Sequence, residues 1–375
     1  MMMRVLNQYM LGDFVKNFLL TAVVLTFVMY VGAVVQAIDY MSRGISGLLI
    51  MKIFSLNIPF TLSFVIPMSV LTTVLLHFGR LSADGEITAM KASGVSLWQI
   101  ASPILFITVL LSILCLYINA ELSPNSHFAR RQMLRDLGEE DPLALLEEGQ
   151  FVQDFPGVRV YIGKKSGTHI EDIILYKFGE KGSEAEVFAH SGTIDFDRES
   201  RIMNINLQQV RMTEFDKDAP GDTTKSRTLS AESYPLVLDL NQMMSKSPIH
   251  KKPSDMNYGE LLYAAQNTRR QFPDLLEKDV SRRRAKLAVE ASQRLALSLS
   301  CFSFALIGIP LGIRSNRRES SIGIGIALVL LFLFYLFIII SDALVDRPEW
   351  RPDLLPWIPV LGCQLIGVIL LNKQR

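Results

Sequence analysis

Six stretches of this chain contain no Asp, Glu, Lys or Arg, and each is long enough to cross a lipid bilayer as a helix. A helix rises ~1.5 Å per residue, so ~20 apolar residues cover the ~30 Å hydrocarbon core. The stretches are residues 17–38, 53–79, 92–120, 295–313, 320–341 and 354–372. Residues 121–294 between the third and the fourth have the composition of a soluble domain. The sequence therefore predicts a membrane α-helical protein of three spans, an inserted domain and three more spans.

Composition agrees with such a mixed protein. Of the 375 residues, 49% are hydrophobic, and the mean hydropathy is +0.27. That value is high for a soluble protein and low for a bundle lying wholly in lipid. The first apolar run is longer than the ~7–15 residue core of a signal peptide, and no convincing small-residue cleavage site follows it. We therefore expect a retained helix.

The positions of Lys and Arg in the short loops predict the orientation, because cytoplasmic loops carry the excess of these residues. With a cytoplasmic N-terminus, the inner segments hold Arg4, Lys16, Arg80, Lys91, Arg314, Arg317, Arg318, Lys373 and Arg375. The outer loops hold Arg43, Lys52, Arg347 and Arg351. We therefore expect both termini in the cytoplasm and the inserted domain outside.

The inserted domain is predicted to be β-structure at its centre. Short segments rich in β-branched and aromatic residues alternate with turn signals such as "FPG" and "KKSG", which favours an antiparallel sandwich or roll. In "VRVYIG", Val158, Val160 and Ile162 share one face, and Arg159 and Tyr161 share the other. An apolar-lined interior and an ordinary packed core are both open.

Domain boundaries follow from these patterns. Residues 1–120 form the first three spans with a cytoplasmic helix at about 82–93, and 121–247 form the β-domain with a helical lead-in. Residues 248–294 form a proline-flanked linker and connecting helices, in which Ser254 or Asp255 is a candidate helix N-cap. Residues 295–375 form the last three spans.

Motifs for enzymatic chemistry are missing from the sequence. It contains no G-x-x-x-x-G-K-[ST] phosphate loop, no G-x-S-x-G and no H-E-x-x-H. The five histidines are scattered without metal-ligand spacing. We predict no catalytic residues, no metal, no cofactor and no nucleic-acid partner. Glycines in or beside the spans are expected to let helices pack closely: Gly308, Gly312, Gly323, Gly325, Gly362 and Gly367.

A polar segment, "FGRLSADGEITAMKASGVSLWQ" at 78–99, interrupts two of the longest uncharged runs. Ser82 can cap a first turn, and Asp84 and Glu86 lie early, where the helix macrodipole favours anions. Gly94 stands where a left-handed C-terminal residue is expected. The segment predicts a helix of about ten residues, centred on Glu86.

Gly85 falls inside this predicted helix. Glycine costs ~1 kcal/mol relative to alanine in a helix interior, which suggests close approach by another backbone. An isolated helix of this length is not stable in water. Either the ends of the bundle or a partner must hold it; a solvated connecting helix is the alternative function-free interpretation.

Several motifs, taken in order, resemble a known family. They are "NIPFTLSFVIPMSVLTTVLLHFGRLSADGEITAMKASGVS" with Pro59 and Pro67, "EGQFV" and "VYIG" opening the β-domain, "EASQRLALSLSCFSFALIGIPLG" before span four, and "LLPWIPVLG" before span six. Together they resemble the LptF/LptG (YjgP/YjgQ) family of lipopolysaccharide export permeases. The resemblance extends along essentially the whole chain. No single motif is very specific, but their order and spacing are.

The resemblance implies an architecture and partners. The inserted domain would be a periplasmic β-jellyroll, and the chain would pair with a second LptF/LptG-type subunit in the inner membrane of a Gram-negative bacterium. A dimer of the LptB-type ATPase would bind below, and lipopolysaccharide would pass through the jellyrolls to LptC-type and bridge proteins. The polar segment would be the coupling helix, and the family's glutamate matches Glu86. The expected ATPase-coupling residues are Asp84, Glu86, Ile87 and Met90, with Ile87 and Met90 giving apolar contact area beside an exposed Glu86.

Two further sets of residues are candidates for lipid contact. Guanidinium groups bind phosphate bidentately, and the arginines near the outer ends of the spans are Arg43, Arg130, Arg131 and Arg135. A solvated charged face is their alternative role. Acyl chains need an apolar route, which a roll with inward residues Val158, Val160, Ile162, Ile173 and Leu175, or the alternate register, could supply; Val160 and Ile162 are predicted to face the interior. A core filled by its own side chains is the alternative.

A different class of function stays open at this point. A mechanotransmitting or scaffolding membrane protein would also have an outer domain that binds a partner, but it would move no lipid. Membership of the LptF or LptG branch is likewise open, although the Glu290-x-x-x-Arg294 pair before span four leans towards LptF.

Overall fold

The computed structural model describes most of the chain as two compact units. The described residues are 2–42, 45–140, 149, 151–152, 158–179, 182–197, 202–214, 227–239, 251–271, 277–314 and 320–374. One unit comprises Met1–Ala37, Phe54–Ala129 and Lys251–Arg375, and the other comprises Ile38–Ile53 and Arg130–His250. The first unit holds most of the helices, and the second holds the sheet.

The helices occupy both ends of the chain. In chain order they are α1 (Met2–Ser42), α2 (Gly47–Ser55), α3 (Ile58–Ala83), α4 (Glu86–Ala92), α5 (Leu97–Tyr117), α6 (Ser123–Glu140), α7 (Tyr258–Gln271), α8 (Glu277–Arg314), α9 (Ser320–Ala343) and α10 (Trp357–Lys373). Single 3-10 turns lie at Pro253–Asp255, Pro348–Trp350 and Pro352–Leu354.

Six helical segments of the described chain are long and apolar enough to span a membrane, which confirms the predicted number. They are Asn7–Ile38, Ile58–Ala83, Leu97–Asp136, Glu277–Arg314, Gly325–Ala343 and Pro352–Lys373. The second span begins later than residue 53, because the helix breaks between Ser55 and Ile58. The third begins at Leu97 rather than 92, because Ser96 and Gln99 form a capping box there.

The span in α8 is the central helix of its unit. In its apolar window 78% of the residues are buried, and glycines let its neighbours approach closely. A Cβ added to Gly312 would lie 3.0 Å from the Leu75 carbonyl oxygen of α3, and one added to Gly367 of α10 would lie 2.7 Å from the Leu306 carbonyl. The packing role predicted for these glycines is confirmed. Gly325 and Gly362 have no described atom of this chain within 4 Å of such a Cβ, so for them the packing role stays a prediction.

A π turn at Ile118–Leu122 joins α5 to α6 without ending the helix. The Ser123 N–H bonds to the carbonyl of Ile118, five residues earlier instead of four. The Asn119 side chain donates to the Cys115 carbonyl (3.0 Å) and to Ser298 Oγ of α8 (3.1 Å). The third span therefore continues past the predicted limit at residue 120.

The second unit contains a six-stranded antiparallel sheet, which confirms the predicted strand class. Its strands are β1 (Phe151–Val152), β2 (Val158–Ser166), β3 (His169–Gly179), β4 (Gly182–Asp197), β5 (Ile202–Glu214) and β6 (Arg227–Asp239). Each strand pairs with its neighbours in sequence, so the described strands form a meander. A jellyroll-like arrangement of the domain stays a prediction.

Candidate functional site

The polar segment between the second and third spans folds as the short helix α4. It covers Glu86–Ala92 rather than about 82–93. Gly85 is its N-cap with φ +75°, and Asp84 is the C-cap of α3. The interpretation of Gly85 as a helix-interior residue is therefore wrong, and a Cβ there would meet nothing within 4 Å. The left-handed conformation predicted for Gly94 is confirmed at φ +85°.

Contacts at the end of α3 fix the start of this segment. Ser82 does not cap α4: its hydroxyl donates to the carbonyl of Ile313 in α8 at 2.9 Å. The Arg80 guanidinium donates to Asp13 Oδ2 of α1 at 2.7 Å. The loop before α4 is thus anchored to two other helices.

The opposite end of α4 contacts the end of α10. Lys91 Nζ donates to the Gln374 carbonyl at 2.7 Å, and Gln374 Nε2 donates to the Pro310 carbonyl of α8 at 3.1 Å. Just after α4, Trp98 Nε1 donates to Asn372 Oδ1 at 3.0 Å. The ends of the bundle therefore hold this short helix without any partner protein.

The side chains of α4 divide into a buried and an exposed set. Ile87 is 3% exposed and packs in a core cluster with Phe78 and Leu97, and Met90 is partly buried against that cluster. The Ile87 side chain is therefore not exposed as apolar contact area, and a coupling role for it stays a prediction. Glu86 is half-buried in the first turn. The exposed residues of α4 are Thr88, Ala89, Lys91 and Ala92.

Of the four arginines expected to contact lipid phosphate, the structure describes three. Arg43 lies outside the described residues. Arg130, Arg131 and Arg135 lie on α6, are half-buried, and each takes part in an interaction within the chain. Phosphate contact by these residues stays a prediction.

The face predicted for strand β2 is confirmed. Val160 and Ile162 are 4% and 1% exposed, whereas Arg159 is exposed. Val160 pairs with Leu175, and Ile162 pairs with Ile173, and both partners are buried in the same apolar cluster. The backbone of Val158 lies in β2, but its side chain is outside the described part. These side chains fill a packed core of the unit.

A crease crosses the sheet, and sequence alternation did not predict it. Buried residues in β3, β4 and β5 are two apart except at one step, where they are three apart: Ile170 to Ile173, Ala189 to Gly192, and Leu207 to Val210. Pairing aligns these steps across the strands. Asp172 and Gln209, at the crease, have φ of +53°, a left-handed conformation that is uncommon without glycine. The alternation of inward-facing and outward-facing residues thus shifts by one residue along one line across the sheet.

A buried polar network holds the turn that precedes α7. Arg294 of α8 is 7% exposed. Its guanidinium donates to the carbonyls of Met256 (2.6 Å) and Pro253 (3.0 Å), and it pairs with Glu290 Oε1 at 2.9 Å. The sequence shows the Glu290–Arg294 pair but does not show that Arg294 binds this turn, because the turn is about 40 residues away along the chain. The sequence feature that could have indicated this network is an arginine at the edge of an apolar run.

The carboxylate of Asp255 completes this network. It is fully buried, lies 2.6 Å from His127 Nδ1 of α6, and accepts from the Lys252 backbone N–H at 2.9 Å. Ser254 and Asp255 therefore lie in a 3-10 turn, and neither is the N-cap of α7. Beside it, Lys251 binds Glu260 at 2.6 Å and lowers the pKa of that carboxyl below its usual value.

Comparison with known proteins gives a consistent answer. Residues 8–373 match the family "Lipopolysaccharide export system permease LptF/LptG". The chain is 23% identical over 310 residues to an uncharacterized protein of Rickettsia prowazekii, covering 80% of this chain and 81% of that protein. It is 23% identical over 329 residues to the lipopolysaccharide export system permease protein LptF of Escherichia coli, covering 84% and 80%.

The LptG permease protein of Escherichia coli is also similar, at 25% identity over 176 residues, which covers 47% of each chain. The family match includes all six membrane-spanning segments, α4, the sheet and the linker network. The prediction of a multi-pass membrane protein therefore agrees with the family match. The chain belongs to the LptF/LptG family of lipopolysaccharide export system permeases.

Proposed function

We propose that this chain is the permease subunit of an ABC-type transporter that extracts lipopolysaccharide from the inner membrane and passes it to the periplasmic bridge. A separate ATPase supplies the energy. The observation that carries this proposal is α4, a short helix fixed at the end of a six-span bundle with Glu86 half-exposed in its first turn.

The contacts of α4 suit it to receive force. An isolated helix this short is unstable in water. Here Ser82, at the end of α3 before it, bonds to Ile313, Lys91 at its own end bonds to Gln374, and Ile87 anchors it in the core. A push on its exposed side is therefore carried into α8 and α10 instead of unfolding the helix. The lack of a phosphate-loop motif in the sequence fits a subunit that relies on another protein for ATP hydrolysis.

The partners in this proposal are a dimer of an LptB-type ATPase, a second LptF/LptG-type permease and LptC-type and bridge proteins. The similarity to LptF extends over 84% of the chain and that to LptG over 47%, which favours the LptF branch. The excess of Lys and Arg in the inner loops supports cytoplasmic termini, a cytoplasmic α4 and a periplasmic sheet.

Replacing Glu86 with Lys tests the coupling role. The reversed charge at the ATPase-facing surface should leave the protein inserted, lower ATPase association about tenfold, and reduce lipopolysaccharide release in reconstituted proteoliposomes. Glu349→Lys, in the turn before the last span, is the matched control and should behave as the unchanged protein. Normal ATPase binding and release by the Glu86 variant would contradict the proposal.

We further propose that lipid passes along the inner face of the sheet. Val160 and Ile162 are buried, so the core must open for acyl chains to enter. A photoreactive residue at Val160 or Ile162 should crosslink to lipopolysaccharide only during ATP hydrolysis, whereas one at Arg159 or Tyr161 should not. Equal labelling on both faces would exclude an inner path.

The scaffolding alternative gives a different result in the same proteoliposomes. A complex that assembles with the ATPase and the periplasmic partners but releases no lipopolysaccharide while it hydrolyses ATP would favour a scaffold. Release that depends on ATP would exclude it.

A further inference from the structure

Helix α8 joins two polar attachments that lie at opposite ends of its apolar segment, which begins near the middle of the helix. At one end, the carbonyls of Ile313 and Pro310 accept from Ser82 and Gln374, which are the anchors of α4. At the other end, Arg294 holds the turn before α7. The helix from Arg294 to Ile313 is about 29 Å long at ~1.5 Å per residue, close to the ~30 Å hydrocarbon core. This continuous helix, which contains Pro310, is thus long enough to connect the two sides of a membrane.

The packing around α8 gives it little freedom to bend or slide against its neighbours. Gly312 lies against the backbone of α3, and Gly367 of α10 lies against the Leu306 backbone. Close-packed interiors transmit displacement because no empty space absorbs it. A displacement of α8 at the end that lies near α4 should therefore move α8, α3 and α10 together.

Arg294 is built for holding the turn in position. Its buried guanidinium donates to backbone carbonyls of Pro253, Ser254 and Met256, and Glu290 balances its charge. A buried ion pair contributes little net stability compared with apolar side chains of similar size. The planar, many-donor geometry of arginine does fix several carbonyls at once. The arrangement therefore favours placement of the turn over stabilisation of the helix.

The turn lies where the chain comes back from the sheet. Residues 227–239 form the last strand, and the helical unit resumes at Lys251. His127 of α6 holds the same turn through the buried Asp255. The turn is thus close along the chain to the residues that lead out of the β-domain.

We propose that Arg294 is a positioning residue that fixes the Pro253–Met256 turn to α8, so that displacement of α4 is carried through α8 to the segment connecting with the β-domain. This inference rests on the proposed export function and names the element that links its two sides.

The test uses the full complex in proteoliposomes with lipopolysaccharide as cargo, and it measures ATP hydrolysis and lipid release separately. Arg294→Met should keep ATP hydrolysis within about twofold but lower lipid released per ATP about tenfold, within the usual range of coupling. Arg294→Lys should be intermediate, because an ammonium group cannot hold several carbonyls in a plane. Arg282→Met, on the same helix with an exposed ion pair to Asp346, is the matched control and should have no effect.

A double-mutant cycle separates transmission from simple destabilisation. Ser82→Ala removes the bond to Ile313 at the far end of α8. If both residues act in the same transmission pathway, the double variant Ser82→Ala with Arg294→Met should release no less lipid per ATP than Arg294→Met alone. If they act independently, their two effects on release per ATP should multiply. If Arg294→Met does not fold, the same cycle is measured with Arg294→Lys.

Unchanged release per ATP in Arg294→Met, an equal fall in ATP hydrolysis and release, or multiplicative effects in the cycle would each overturn the inference. Failure of the proposed function looks different, because the unchanged complex would then release no lipopolysaccharide at all.

Discussion

Helices α1 and α8 are similar in length and apolar character but opposite in environment. They contain 41 and 38 residues, and their most apolar windows have mean hydropathies of 2.5 and 2.0. None of the α1 window is buried, against 78% of the α8 window. Hydropathy thus shows that a helix can span a membrane, but it does not show what the helix contacts.

Residue size and polarity distinguish the two helices better. The buried face of α8 is rich in small residues, among them Ser298, Ser300, Ser303, Gly308 and Gly312. Small residues let backbones approach, and this packing drives helix association where lipid is as apolar as the side chains. The exposed residues of α1 include many large apolar side chains, of which Val is the most frequent. Its buried side chains, Met10 and Phe14, lie near one end.

The largest expected effect tests the close packing. Gly367→Ala would place a Cβ 2.7 Å from the Leu306 backbone of α8, which should destabilise the protein by about 1–3 kcal/mol through overpacking. Gly32→Ala in α1 is the matched control, since nothing lies within 4 Å of its Cβ, and alanine favours a helix by ~1 kcal/mol. Thermal unfolding in detergent should move to lower temperature for the first variant only. Equal midpoints would refute the comparison.

A smaller effect is expected for polar contacts. Ser298→Ala removes the interhelical bond from Asn119, and such bonds contribute about 0.6–1.7 kcal/mol in membrane proteins. Thr26→Val in α1 removes only a bond to the Ala22 carbonyl of its own helix and should change stability little. Denaturation in mixed micelles measures both. A larger loss for the α1 variant would mean that this helix has a partner contact of its own.

The parts of the fold that were predictable depend on neighbours in sequence. A span is a run of apolar residues, and a strand face is an alternation, so the six spans and the inward positions of Val160 and Ile162 could be predicted. The orientation indicated by the loop charges stays a prediction. The family resemblance is confirmed along the chain.

The parts that failed depend on contacts between distant residues. Whether Gly85 lies inside a helix or at its cap depends on where α3 ends, and the burial of Ile87 depends on Phe78 and Leu97. Asp172 adopts a left-handed conformation without being glycine. The Arg294 network joins residues about 40 positions apart. No local pattern reports such contacts.

The π turn between α5 and α6 determines the direction in which the side chains of α6 point around the helix axis. It contains one residue more than a regular turn, and each residue adds about 100° of rotation and ~1.5 Å of rise. Deleting one residue here would restore a regular helix but rotate α6 by about a quarter turn. His127 would then face away from Asp255. This irregularity therefore allows one continuous helix to direct one face towards the membrane interior and another face towards the buried turn.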